Sequence, residues 1–227
     1  MSTVYSNVDA YGTNATTSSH WNAAQGNAIT DGGVWSNSAH SYSFGAYNGN
    51  FGSRGSNAYR CYRSYFVFPL SGESGTVESA TISLYLDNLG STAPSNREKV
   101  ILVEATALQS LGGSVADHGN VFSSGTTWHK DISDIVSVST TAGYHVFTMN
   151  SDGIELIQDK IDSSGNVTIG LVGWYHDFSE NVPLGGGEYT KIQVTYSNNI
   201  GTSRDPKVDI TYAAAVTDNA TFFGANF

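Results

Sequence analysis

The chain holds a single cysteine, Cys61, among 227 residues. One thiol cannot close an internal disulfide, so a disulfide scaffold is excluded, and this usage suits synthesis in a reducing cytoplasm. Basic residues are scarce as well: ten Lys and Arg stand against twenty Asp and Glu, for a formal net charge of −10. A phosphate backbone is gripped by clustered cations, and here they are spread along the chain, so nucleic acid is not an expected partner. No apolar run approaches the roughly eighteen residues that span a bilayer, and the N-terminal MSTVYSNVDAYG has neither a basic nor an apolar signal segment. The expectation is a soluble chain with no leader and no membrane partner. Leucine-rich helical periodicity is almost absent.

The motifs of catalysis are missing too. Six histidines (His20, His40, His118, His129, His145 and His176) and many serines make chance Ser–His pairs inevitable, but no G-x-S-x-G frames any of them. Neither an H-E-x-x-H nor a cysteine pair offers a transition-metal site. Glu104, Glu155, Glu180 and Glu188 would serve glycoside hydrolysis only if two of them faced each other across a cleft, a separation that sequence does not measure. The expectation is a non-enzymatic protein.

What the chain does contain is Gly, Ser, Thr, Asn and aromatic rings, with 25 Gly, 13 Tyr, 10 Phe and 39% hydrophobic residues overall. That mixture suits short strands, many turns and a real core. In RSYFVFPLSGESGTVESATISLYL, Ser64, Phe66 and Phe68 alternate with Arg63, Tyr65 and Val67. After a Gly/Ser turn, Ala80, Ile82, Leu84 and Leu86 alternate with Thr81, Ser83 and Tyr85. Period-two alternation across a glycine-containing connection marks half-buried antiparallel strands. Further strands are predicted over 99–105, 144–149, 166–174, 189–197 and 207–212, beside those at 61–69 and 79–87. Roughly seven or eight strands at these spacings predict an all-β jelly-roll β-sandwich.

Three regions follow from this pass. Residues 1–58 form a loop-rich, aromatic N-terminal region with short strands at Gly33–Ser36 and Ser41–Ala46, packed on the core or on a neighbour; residues 59–213 are the sandwich; residues 214–227 are a Phe-rich tail. SDGIELIQDKI (residues 151–161) reads as the one short helix, with Asp152 and Glu155 as a capping box and Ile154, Ile157 and Ile161 on one face, plugging an end of the sandwich. The long segment from Gln109 to Asp131 has no period, and long loops of this kind usually carry contacts or function.

The RSYFVFPLSG…TVESATISLYL pair, the helix followed by NVTIGLVGW, and the closing YSNNIGTSRDPKVDITY resemble the DNRLRE domain over roughly residues 58–212, in the same order of elements. That family is similar to carbohydrate-binding jelly rolls. The resemblance implies a noncatalytic sandwich that binds or spaces, and a free-standing copy without a leader looks like a bacteriophage virion component. The expected role is a capsid decoration (cement) or fibre-associated subunit, made in the host cytoplasm and resident in the virion. Its expected partners are major capsid or tail proteins and further copies of itself, with a trimer favoured. The alternative is a carbohydrate-binding adhesin on a tail or host surface.

Candidate contact residues follow from these two readings. A glycan would stack on Trp128 or on Trp174 and Tyr175, with His129 and His176 as hydrogen-bonding neighbours; the competing reading is that Trp128 and Trp174 close the ends of the core. No cofactor is expected beyond structural calcium, for which Asp117 with Asn120, or Asp177 with Glu180, supply loop oxygens, unless they are simply solvated loop groups. Trp21, Trp35, Phe222, Phe223 and Phe227 are the candidate assembly contacts, because rings left in water forgo about 1.5–3 kcal/mol each.

Overall fold

The alternation at Arg63–Leu86 organises the molecule. The computed structural model describes residues 1–18, 34–36, 42–50, 59–91, 99–106, 121–124, 127–182, 189–195 and 202–214. In chain order the strands are β1 (Ser2–Tyr5), β2 (Val8–Ser18), β3 (Val34–Ser36), β4 (Tyr42–Asn50), β5 (Tyr59–Pro69), β6 (Val77–Ser91), β7 (Lys99–Glu104), β8 (Phe122–Ser124), β9 (Thr127–Trp128), β10 (Val136–Ser137) and β11 (Gly143–Thr148). Helix α1 (Ser151–Asp162) follows, then β12 (Asn166–Gly173), a π-helical turn (Trp174–Phe178), β13 (Tyr189–Thr195), a 3-10 turn (Thr202–Arg204) and β14 (Lys207–Tyr212). The all-β sandwich expectation is borne out, and six of the seven strands read from periodicity lie within two residues of the observed bounds at either end, while the strand read at 79–87 runs four residues further, to Ser91.

Two long strands carry the architecture. One edge of β5 serves β4 through Tyr59–Tyr62 and then β12 through Ser64–Pro69, while β2 runs along its other edge. In the same way one edge of β6 serves β14 and then β13, and β11 pairs with its other edge. All these pairings are antiparallel. The result is one layer built of β2, β5, β12, β7 and β10, a second built of β1, β14, β6 and β11, and a join made by β4 and β13, which pair with each other. Phe66, Phe68, Leu102, Ile169 and Leu171 of the first layer meet Ile82, Leu84, Phe147, Val208 and Ile210 of the second, and all are buried. Each such side chain contributes about 1.5–3 kcal/mol on leaving water, so the register that keeps this set inward is strongly fixed.

The N-terminal residues are more regular than predicted. The strands read at 33–36 and 41–46 correspond to β3 and β4, but β1 and β2 also form, along β14 and β5. Between them the chain crosses from one layer to the other, with the Ser6 amide donating to the Pro206 carbonyl (2.9 Å) and the Asn7 amide to the Val67 carbonyl (3.1 Å). The segment is thus hydrogen-bonded into both layers.

Helix α1 forms where predicted, but its cap is two residues earlier than expected. Asn150 sits in extended backbone and its side-chain oxygen accepts from the Gly153 amide at 3.0 Å, making it the N-cap. Asp152 instead lies in the first turn, where it pairs with Lys130 at 2.8 Å, and Glu155 is exposed beside the same ammonium at 3.6 Å. The Asp152/Glu155 capping box is therefore corrected. Ile157 and Ile161 are buried in the main core with Ile154 against it, and Gln158 accepts from the Val77 amide at 2.7 Å, tying the helix to the start of β6. Gly153 has no room for a side chain, since an added Cβ would collide with the Ile132 carbonyl.

Candidate functional site

A buried ion pair under an aromatic cap

The expectation that β5 is half-buried is corrected by what covers its other face. Tyr65, Ile101, Val103, Ala105, Val121, Phe122 and Val172 form a second core on the outside of the first layer, with Trp128, Trp174 and Phe178 packed against it. The cover is made by the small β8–β9 hairpin and the π-helical turn. Gly170 allows the close approach: a Cβ there would stand 2.6 Å from Val121 Cγ1 and 3.2 Å from Val103 Cγ2.

Arg63 occupies this face of β5. Its Nε and Nη2 each donate to one oxygen of Asp177 at 2.7 Å, and both side chains are 0% exposed. Phe122 and Trp128 lie over the guanidinium at 4.9 and 5.1 Å from carbon to ring centroid. Burial alone would lower the Arg63 pKa, but the Asp177 charge outweighs it and holds the guanidinium above its ordinary value. Cys61, two residues earlier on the same face, has its thiol pushed well up, by burial first and by Asp177 second. The pair pins the π-helical turn to β5, in the bidentate geometry that favours arginine over lysine.

The sequence-predicted glycan residues converge on this cap. Trp128 is wedged between Phe122 (4.7 Å between centroids) and Phe178 (5.1 Å), the packing expected of a ring that closes a core. Trp174 is half-buried, with Lys99 Nζ 5.5 Å from its ring centroid and Tyr175 at 6.3 Å. His176 is buried, and its Nδ1 donates to the Asn181 carbonyl at 2.8 Å. His129 contacts Thr106 Oγ1 through Nε2 (3.1 Å) and faces Glu104 Oε2 through Nδ1 (3.6 Å). Hydroxyl, imidazole and carboxylate are thus neighbours, with the imidazole–carboxylate distance longer than a hydrogen bond. His145, read as an ordinary strand residue, accepts the Ser139 amide at 3.0 Å on β11.

Of the calcium candidates, each Asp177 oxygen accepts from Arg63, and Glu180 is exposed. Asp117 and Asn120 lie outside the described residues, as do Trp21, Phe222, Phe223 and Phe227. Trp35 lies on β3, opposite Tyr11 in register. Among the described residues no three His, Cys, Asp or Glu gather as metal ligands. Sequence reasoning missed the role of Arg63; the available signal was a cation in the middle of the apolar run YRCYRSYFVF, where a buried charge must find a partner. No protein-family model matches the chain, and no curated protein sequence matches it.

Proposed function

We propose that the chain is a non-enzymatic structural subunit of a bacteriophage particle, a capsid decoration or fibre-associated protein that contacts the major capsid or tail proteins and other copies of itself. The observation that carries this reading is the use made of the reactive and recognition side chains: Arg63, Asp177 and Trp128 hold the cap onto the sandwich, and His176 braces the π-helical turn against the Asn181 carbonyl. A scaffold buried on both faces of one layer offers rigidity and shape. Mass spectrometry of gradient-purified particles tests the proposal: the chain is expected at a fixed ratio to the major capsid or tail protein, and its confinement to the soluble lysate refutes the role. The second reading, a carbohydrate-binding adhesin, is favoured by the half-exposed Trp174 with Tyr175 and Lys99 around it. On a glycan array that reading requires a signal that Trp174→Ala abolishes.

A further inference from the structure

The outer face of the second layer is a four-strand surface of unusual composition. Tyr5, Tyr144 and Val146 are 41%, 38% and 52% exposed there. The register sets Tyr144 against Tyr85, and Tyr5, Lys207, Ser83 and Val146 in one row across β1, β14, β6 and β11. Tyr144 meets Tyr85 edge-on at 5.6 Å, and its hydroxyl donates to the Asp205 carbonyl at 3.0 Å. Arg204, exposed at the end of the 3-10 turn, lies 4.8 Å from the Tyr85 centroid. Lys207 is answered by Asp209 at 3.3 Å, whereas Arg204 pairs with no carboxylate among the described residues. The ring holds the guanidinium in place and leaves its donors open.

Two occupants fit such a patch, and the geometry decides between them. A pyranose stacks on an open ring face, but Arg204 covers Tyr85 and Lys207 stands 5.8 Å from the Tyr144 centroid. Tyr and Arg together, with their faces already packed, are the composition of a protein–protein hot spot. The matching surface is on this chain. Asp152, Glu155, Asp159 and Asp162 recur along one side of α1, opposite the buried Ile157 and Ile161. Lys130 answers Asp152 and Glu155 at the N-terminal end, while Asp159 and Asp162 have no cation beside them among the described residues.

We infer that the Tyr5–Tyr85–Tyr144–Arg204 face of one copy binds the acidic side of α1 of the next copy. This deepens the assembly role proposed above and rests on it. The two patches differ, so the contact is heterologous: it closes into a ring or grows into a filament, and each copy offers one donor and one acceptor surface. Light scattering on the size-separated full chain over a concentration series tests it, with circular dichroism confirming that each variant is folded. The wild type is expected to self-associate more weakly as salt rises. Arg204→Gln, and separately the pair Asp159→Asn with Asp162→Asn, should each weaken association by roughly tenfold or more. An equimolar mixture of the two variants retains one good surface on each chain and should form a one-to-one dimer and nothing larger. A wild type that stays monomeric, variants that keep wild-type mass, or a mixture that forms no dimer overturns the inference. If particles nevertheless contain the chain at fixed ratio, the structural role stands and only this contact falls.

Discussion

Removing one member of the buried Arg63–Asp177 pair should be among the costliest single substitutions in this protein. Asp177→Asn takes the carboxylate charge away from a guanidinium that is 0% exposed, and Arg63→Met takes the cation away from an equally buried carboxylate. Breaking a buried pair from one side costs about 3–5 kcal/mol, since the survivor keeps its desolvation penalty without its attraction. Arg63→Met also forfeits the guanidinium contacts with Phe122 and Trp128, worth up to about 2 kcal/mol in a desolvated setting. At roughly 2–4 °C per kcal/mol for a chain of this size, Asp177→Asn should melt about 6–20 °C lower and Arg63→Met up to about 28 °C lower. The double variant Arg63→Met/Asp177→Leu removes both charges and fills the space with apolar groups, so it should recover most of the loss. Urea titrations of the wild type, Arg63→Met, Asp177→Leu and the double variant close a cycle and give the coupling free energy, expected at about 3 kcal/mol or more. A double variant that costs the sum of the singles, or an Asp177→Asn protein within about 1 kcal/mol of wild type, refutes the reasoning.

The cap and the helix offer independent checks. Gly170→Ala pushes a methyl into Val121 Cγ1, and denaturant titration should show a loss of about 1–3 kcal/mol from overpacking. Asn150→Ala should cost about 1 kcal/mol as the loss of a helix cap, with Asp152→Ala costing clearly less; the reverse order in the same titration would restore Asp152 as the cap. Stability should fall as pH rises past about 9, measured by urea midpoints across the alkaline range. Burial holds the Cys61 thiol above its ordinary value, and burial with the Glu73 hydrogen bond does so for the Tyr212 hydroxyl. Both groups stay protonated in the folded chain after the unfolded chain has released its protons, so stability is present below the unfolded pKa and lost above it. Cys61→Ala should flatten that slope.

The main sandwich was legible because its strands bury one face each and write that burial as alternation: Ala80, Ile82, Leu84 and Leu86 in β6, Val208 and Ile210 in β14. β1 and β2 were not legible, since STVY and VDAYGTNATTS take their places through edge pairing to β14 and β5, a tertiary term that polar residues do not announce. The second core was hidden for a related reason. Its cover is assembled from a three-residue strand, a two-residue strand and a five-residue π-turn, each too short to show a period. The aromatic candidates Trp128 and Trp174 were found by residue type, and whether a ring serves a ligand or a core depends on what lies above it. Arg63 was read only as a member of an alternating strand, and its partner is 114 residues away.

A cryo-electron microscopy reconstruction of purified particles tests the central proposal most directly. The account predicts density for a two-layered sandwich at repeated positions on the shell or along a fibre, with the β8–β9 hairpin side folded closed over the Arg63–Asp177 pair. A particle whose density is fully explained without this fold would contradict it.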